Sequence, residues 1–181
     1  MREIRAISFG GVNCYLLTTE TGFVLIDTGF SKNRVDLARE LESTGCTLGT
    51  LKLFLLAHGD FDHSGNAQCL HEKYSVKIAM HIDDEGMVEK GDLFHNRNAN
   101  LLMRVMGKIM LFFLRGGLKK DERFTLDLHN DEGYALSEFG LNATVLYVPG
   151  HSKGSIEILM STDDLFCGDL LENTKNPLKT L

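Results

Sequence analysis

A continuous apolar run, Leu51 to Ala57, leads without a break into the polar segment His58-Gly59-Asp60-Phe61-Asp62-His63. An apolar run of this length suits a strand that is buried on both faces, as in a sheet covered by helices. In α/β folds the groups that carry chemistry lie in loops at the carboxyl ends of such strands. This junction therefore predicts an α/β protein with a functional site directly after the buried strand.

The polar segment supplies two imidazoles and two carboxylates within six residues. In an extended loop, side chains two residues apart point to the same side. We therefore expect His58, Asp60 and Asp62 to converge, while His63 turns toward a neighbouring point. This arrangement suits two metal ions better than one. The alternative is a solvated loop whose carboxylates only cap the following helix.

The same succession of strand and polar residue occurs twice more along the chain. His151 comes shortly after the predicted strand Thr144 to Val148, and Asp169 comes shortly after the predicted strand Leu165 to Cys167. A single histidine or aspartate after a strand is usually structural. Three such placements favour one common site to which all three segments contribute.

The rest of the chain is consistent with one domain, residues 1–181, in which helices cover two sheets. Alternating apolar patterns separated by glycine turns predict a meander of antiparallel strands at the start. Helical spacing and further apolar runs predict the later elements. The other predicted strands are Glu3 to Phe9, Asn13 to Thr18, Phe23 to Asp27, Val76 to Met80 and Ser155 to Met160, and the predicted helices are Ser31 to Gly45, Gly65 to Tyr74 and Asn98 to Leu114.

The segment Leu101 to Leu114 is apolar on almost every side. As a helix it would rise about 21 Å at ~1.5 Å per residue, which is less than the ~30 Å hydrocarbon core of a bilayer. We therefore expect no membrane span. Two interpretations stay open: a helix buried in the core or in a subunit contact, or a lid that gives an apolar acyl group a place to bind.

Composition argues against several other classes. The net charge of −6 and the pI near 5.6 offer no broad footprint for a polyanion, so no nucleic-acid partner is expected. The four cysteines are widely spaced without a C-x-x-C pair, which favours free thiols over a zinc ribbon or a disulfide scaffold. No signal-peptide pattern opens the chain, so we expect a cytoplasmic protein with no membrane partner.

The order of these motifs resembles the metallo-β-lactamase fold superfamily. Its pattern is T-H-x-H-x-D-H, then Gly-His, then an Asp that bridges two metals, then a final His. Asn13-Cys14-Tyr15-Leu16-Leu17 and Ile26-Asp27-Thr28-Gly29 also look like its opening strands, where the Asp supports the metal loop. The resemblance runs from about residue 4 to residue 171 and is nearest to the glyoxalase II-like and lactonase-like group. It implies an αββα four-layer sandwich.

The resemblance also implies a binuclear metal centre, with Zn²⁺ as the expected metal and iron or manganese as alternatives. The implied ligands are His58, Asp60, Asp62, His63, His151 and Asp169. His58 and His151 would hold the first metal, Asp62 and His63 the second, and Asp169 would bridge them. The implied function is a metal-dependent hydrolase in which a metal-bound hydroxide, oriented by Asp62, attacks a small-molecule ester, thioester, lactone or related bond.

Two departures from the family pattern affect these expectations. Asp60 replaces the family's second histidine. An oxygen ligand is harder than a nitrogen ligand, which shifts the expected metal preference of the first site toward iron or manganese. No histidine follows His151, so the family's last ligand has no counterpart. We therefore expect a C-terminally shortened member with a weaker second metal site and with apolar surface that favours a homodimer. The alternatives are a diiron redox protein of the same fold or a non-catalytic, incomplete metal-binding fragment.

The remaining histidines are weaker candidates. His71, His95 and His129 are expected to be surface or packing residues. His81 follows a predicted strand, which gives it a better claim to a place behind the ligands or on the rim of the pocket.

Overall fold

The computed structural model describes residues 3–9, 11–95, 100–114 and 117–170, which form two sheets and the helices that cover one of them. The strands are β1 Ile4–Ser8, β2 Asn13–Thr18, β3 Phe23–Ile26, β4 Leu51–Leu55, β5 Lys77–Met80, β6 Leu128–His129, β7 Ala143–Tyr147, β8 Ile156–Met160 and β9 Leu165–Phe166. The helices are α1 Arg34–Ser43, α2 Phe61–Ser64, α3 Ala67–Tyr74, α4 Ile82–Lys90 and α5 Leu101–Leu114, and short 3₁₀ turns lie at Ser31–Asn33, Lys120–Glu122, Ser137–Phe139 and Gly168–Leu170.

The first sheet contains β1 to β6 in chain order, and the second contains β7 to β9. Strands β1, β2 and β3 pair antiparallel, which confirms the predicted meander. Strands β3, β4, β5 and β6 then pair in parallel. Parallel neighbours need crossover connections, and the helices provide them. As a result the carboxyl ends of β3, β4 and β5 lie along the same edge of the sheet.

Alternating side chains along the strands separate two cores. In β3, Leu25 faces the helices and packs in one cluster with Leu37 and Leu41 of α1. Its neighbours Val24 and Ile26 face the second sheet and join the other cluster. This period of two is the pattern expected for a strand covered on both sides. A helix layer and two sheets therefore lie within the described residues.

The polar segment after β4 differs from its prediction. We expected an extended loop through His63, but Phe61–Ser64 forms a helical turn, α2. The carbonyl oxygen of Asp60 accepts hydrogen bonds from the backbone N–H groups of His63 at 3.0 Å and Ser64 at 2.9 Å. The alternation argument is therefore wrong for Asp62. So short a turn has no hydrophobic period, so its sequence gives no sign of it.

Helix α5 also differs from its prediction, because burial in the core is wrong for most of its apolar side chains. Leu101 is 78% exposed and Phe113 is 77% exposed. Within the described part of the chain, no helix combines the length and the apolar character that crossing a membrane requires. The beginning of the predicted helix, residues 98 and 99, lies outside the described residues.

Candidate metal centre

The polar segments that follow β4, β7 and β9 meet at one edge of the two sheets. The ring centroid of His58 lies 4.0 Å from that of His63 and 4.7 Å from that of His151. Asp169 reaches between them, with its Oδ2 3.7 Å from His58 Nε2 and its Oδ1 3.1 Å from His63 Nε2. Side chains separated by up to 111 positions in the sequence, 58 against 169, thus share one small volume.

One group of possible ligands consists of His58, His151 and Asp169, whose ligand atoms all lie within 4.8 Å of one another. His151 Nε2 lies 3.5 Å from Asp169 Oδ2. Two ligands on one tetrahedral ion, each bonded at about 2 Å, lie roughly 3.4 Å apart. Asp60 adjoins this group, because its Oδ2 lies 2.9 Å from His151 Nε2 and 3.5 Å from His58 Nε2. The separations therefore suit one metal ion.

A second group consists of Asp62, His63 and Asp169, also with ligand atoms within 4.8 Å of one another. Asp62 and His63 are adjacent residues of the short turn α2. The structure thus brings five of the six candidate ligands into two groups that share Asp169, and it places the sixth, Asp60, against the first group. Whether these side chains bind metal stays a prediction.

The carboxylates around the buried histidines govern the charge of the centre. Burial opposes a charge on His63, but Asp27, Asp169 and Asp62 outweigh it and raise the pKa of His63 from 6.5 to about 11. The contact with His63, whose Nε2 lies 3.1 Å from Asp169 Oδ1, in turn lowers the pKa of Asp169. Burial raises the pKa of Asp62, although His63 opposes this. The cluster is thus an anionic pocket that retains a proton on His63 and would exchange it for a cation.

Asp27 fixes the orientation of the His63 ring by a hydrogen bond to the nitrogen that faces away from Asp169. Its Oδ2 accepts a hydrogen bond from His63 Nδ1 at 2.8 Å, and its Oδ1 accepts one from the backbone N–H of Ala57 at 2.9 Å. The first bond leaves Nε2 of His63 facing Asp169. Asp27 has φ 58, a left-handed conformation that most residues with a side chain avoid and that aspartate tolerates. Strain of this kind persists only where surrounding contacts fix it.

Asp84 likewise fixes polar groups of the site by hydrogen bonds, in this case within the loops that carry His58 and His151. It is fully buried, and its Oδ2 accepts hydrogen bonds from the backbone N–H of Gly59 at 3.0 Å and the hydroxyl of Ser152 at 2.6 Å. Its Oδ1 accepts one from the backbone N–H of Gly154 at 2.9 Å. One carboxylate thereby joins the loop of His58 to the loop of His151.

Sequence reasoning did not find Asp84. Acidic residues in the first turn of a helix usually stay exposed and complement the helix dipole, and Asp83 beside it does so. The one available signal is the spacing of Asp84, Met87 and Val88, which places all three on the buried face of α4. Gly154 fits this contact because a Cβ there would lie 2.7 Å from the carboxyl carbon of Asp84.

His81 belongs to neither group of candidate ligands. Its Nδ1 accepts a hydrogen bond from the backbone N–H of Asp83 at 3.2 Å, which caps α4. Its ring stacks on Tyr147, with centroids 4.3 Å apart and planes inclined by 12°. Its contacts are therefore those of a buried capping residue rather than of a ligand.

A cavity of about 280 Å³ opens beside the first group of ligands. His58, His151 and Asp169 form its polar wall, and apolar side chains such as Val148 and Ile156 form the other. Cys167 also lines it, and burial raises the pKa of its thiol. All four cysteines are free, as the sequence predicts. The cavity thus combines an apolar wall with convergent polar groups, as pockets for small molecules do.

His58 shows that these residues fit a cation. Its side chain is 1% exposed, and its Nε2 makes no hydrogen bond to any part of the chain that the structure describes. A buried polar atom without a partner carries a considerable desolvation cost. The nearest oxygens belong to Asp60 and Asp169, and a metal ion shared with them would satisfy the nitrogen.

Two open sheets with polar loops at their common edge define an α/β protein in which histidines and aspartates form two groups that could hold a metal ion. The family model described as the metallo-beta-lactamase superfamily matches residues 7–181. The chain therefore belongs to the metallo-β-lactamase superfamily and has its fold. Members of this superfamily are mostly metal-dependent hydrolases and typically bind divalent metals, often zinc.

Two solved structures resemble the chain in fold. The subclass B3 metallo-beta-lactamase BJP-1 of Bradyrhizobium japonicum matches with a TM-score of 0.73 and 19% identity, over 92% of this chain and 60% of its own. A metallo-beta-lactamase of Cronobacter sakazakii described by its HARLDQ motif matches with a TM-score of 0.69 and 17% identity, over 90% of this chain and 57% of its own. The chain thus spans less than two thirds of either structure.

Among curated proteins, the hydroxyacylglutathione hydrolase GloC of Haemophilus influenzae is 29% identical over 172 residues. The match covers 93% of this chain and 71% of that enzyme. An uncharacterized protein of Mycobacterium leprae, ML0493, is 26% identical over 163 residues, or 88% of this chain and 67% of that protein.

Proposed function

We propose that this chain is a metal-dependent hydrolase that cleaves an ester, thioester, lactone or related bond of a small molecule. The observation that carries the proposal is the convergence of two groups of ligands on Asp169, beside a cavity with an apolar wall. A structural role alone would not require three polar loops to meet with so many ionisable groups in contact.

In this proposal His58, Asp60, His151 and Asp169 hold one metal ion, and Asp62, His63 and Asp169 hold a second. Zn²⁺ is the expected metal, with iron or manganese as alternatives. Divalent ions in such a centre lower the pKa of bound water from about 15.7 toward ~7 and polarise the oxygen of the bond to be cleaved. The protein's own contribution is to orient these groups and to exclude bulk water.

Asp62 is the proposed catalytic side chain. It is partly buried, and its carboxylate lies in the group that contains His63 and Asp169. From this position it orients the attacking water through a carboxylate oxygen. Burial, which raises the pKa of Asp62, also strengthens its hydrogen bonds because the local dielectric constant is low.

The cavity limits the substrate. With a volume of about 280 Å³ it accommodates a small acyl or lactone group rather than a polymer segment. The 29% identity to a hydroxyacylglutathione hydrolase supports a thioester as the first substrate to test. A small-molecule substrate, a single domain, a cytoplasmic location and the absence of a nucleic-acid or membrane partner stay predictions.

The proposal is tested on protein that is stripped of metal and reloaded separately with Zn²⁺, Mn²⁺ or Fe²⁺. We expect hydrolysis within a panel of a thioester, an ester, a lactone and a phosphoester, and we expect Asp62→Asn to lower the rate by about 100-fold or more. Asp163→Asn is the matched control, because Asp163 is exposed in the turn between β8 and β9 and belongs to neither group of ligands. A protein that binds metal tightly but cleaves no member of the panel would instead be a metal-binding module.

A second candidate, a diiron redox protein of the same fold, has one observation in its favour. Asp60 presents a carboxylate oxygen 2.9 Å from His151 Nε2, where the family pattern has a histidine, and oxygen ligands favour harder metals. We expect Asp60→His to raise the preference for Zn²⁺ over Fe²⁺ by about 10-fold, measured by competition in anaerobic titrations. Unchanged metal preference would show that Asp60 is not a ligand.

A further inference from the structure

Helix α5 exposes an apolar face over most of its length. Its large exposed apolar residues are Leu101, Leu102, Met103, Val105, Met106, Ile109, Met110 and Phe113. At about 100° per residue these side chains fall in one arc of roughly 200°, centred near Leu102. The arc is continuous and contains no charged residue.

The opposite side of α5 attaches the helix to the body. Lys108 Nζ lies 2.7 Å from Asp92 Oδ2. Gly107 lies against the ring of Phe94, where a Cβ would come within 2.1 Å of the ring. Arg104 and Leu111 belong to the same side and are partly buried. The helix is therefore inverted relative to an ordinary surface helix, since its polar and small residues face the protein and most of its large apolar residues face outward.

The size of this face matches one half of a stable interface. From their exposed fractions, the eight side chains present on the order of 900 Å² of surface. The largest apolar patch on a typical monomer is roughly 300–600 Å². Each partner in a specific interface contributes about 800 Å². The face is thus larger than a monomer normally exposes and large enough for a stable contact.

The spacing within the arc points to the partner. Leu102, Met106, Ile109 and Phe113 follow one another at intervals of four, three and four residues, the spacing of a helix-pairing seam. These intervals are the same in both directions along the helix. An antiparallel copy of α5 would therefore place Met106 opposite the second copy's Ile109, and Leu102 opposite the second copy's Phe113. A twofold contact requires this kind of self-complementarity.

We propose that α5 is a dimerisation helix that pairs antiparallel with α5 of a second copy of this chain. A lipid surface fits less well. A helix at a membrane interface presents basic residues beside its apolar face, toward the headgroups. Here Lys108 is paired with Asp92 on the side of the body, and the chain as a whole carries a net charge of −6, which anionic lipid repels.

The test uses charge complementation across the proposed contact. Met106→Lys and Ile109→Glu each place a charge in an apolar interface, so each variant alone should dissociate at least about 100-fold more readily than the wild type. Mixed together, the two variants should form a heterodimer. In that heterodimer the introduced lysine of one copy faces the introduced glutamate of the other, while the second pair stays Ile109 against Met106. Sedimentation equilibrium and native mass spectrometry measure both effects.

Val35→Lys is the matched control, since Val35 is an exposed apolar residue of another helix, 68% exposed. It should leave the dimer unchanged, and circular dichroism should show all variants folded. A wild type that stays monomeric at about 100 µM overturns the proposal. So does a mixture that fails to form the heterodimer. If monomeric wild type binds vesicles of phosphatidylglycerol and Met106→Glu does not, the occupant is lipid and the proposal is wrong.

Discussion

Two regions of the molecule depart from the usual distribution of polar and apolar groups, in opposite directions. Around the metal centre, Asp84 is fully buried and Asp27 is 3% exposed, although carboxylates are rarely buried without a cation. On α5, Leu101 and Phe113 are more than three quarters exposed. Both arrangements cost free energy in an isolated chain. Each proposal above offsets one of these costs: a bound cation at the first region and a second copy of α5 at the other.

The largest effect is expected at the ligands themselves. His58→Ala removes the buried nitrogen that has no partner in the described chain, and with it one bond to the first metal. We expect the affinity for that metal to fall by about 1000-fold, or ~4 kcal/mol, in calorimetric titrations of stripped protein. His71→Ala on the partly exposed face of α3 is the control. An unchanged affinity would place the metal elsewhere.

Asp84→Asn tests whether the buried carboxylate matters for binding as well as for folding. The amide retains one acceptor oxygen, so at least one of the N–H groups of Gly59 and Gly154 loses its partner. We expect the free energy of unfolding in urea to fall by about 1–3 kcal/mol. We also expect the first metal to bind ~10- to 100-fold more weakly.

Asp83→Asn is the control for this change, because Asp83 is the neighbouring acid and its side chain is 47% exposed. A loss of stability with unchanged metal affinity would show that Asp84 has a structural role only. Equal losses in both variants would show that the effect comes from helix charge rather than from the link between the loops.

Asp27→Asn tests whether the two groups of ligands bind metal independently, because Asp27 is hydrogen-bonded to His63, which belongs only to the second group. Asparagine tolerates the left-handed backbone at this position, so the change removes chiefly the carboxylate that orients His63. We expect the second metal to bind about 10-fold more weakly while the first is affected less.

We also expect the wild type itself to show one tight and one weaker site, because the described residues offer four ligands to the first metal and three to the second. Two equally tight sites would contradict this.

The smallest effect is expected on α5. Met110→Gln exchanges an apolar side chain that is 55% exposed for a polar one of similar length. Measured at concentrations where the protein is monomeric, its free energy of unfolding should stay within ~0.5 kcal/mol of the wild type. A loss above ~2 kcal/mol would show that this face packs against the chain itself, and the contrast between the two regions would disappear.

The sequence predicts most of this architecture for a physical reason. The strand predicted at Asn13–Thr18, for example, has the same bounds in the structure. Ligand candidates such as His151 and Asp169 are recognisable because polar residues directly after apolar strands collect at one sheet edge. The helical turn at Phe61–Ser64 was not predictable, since four residues carry no period. The role of Asp84 was not predictable either, because its partners are 25 and 70 positions away in the chain.

The meeting of the two sheets at the metal centre has a consequence for how the chain folds. His58 and His63 follow a strand of the first sheet, whereas His151 and Asp169 follow strands of the second. The first sheet can form from the N-terminal part of the chain, but the pocket for a cation exists only after the second sheet has docked. Contacts so distant in sequence form late and slowly. A metal that binds only the native state then stabilises the docked sheets, and the stabilisation increases with the metal concentration. The supply of metal during synthesis would therefore influence how long the second sheet of a new chain remains undocked.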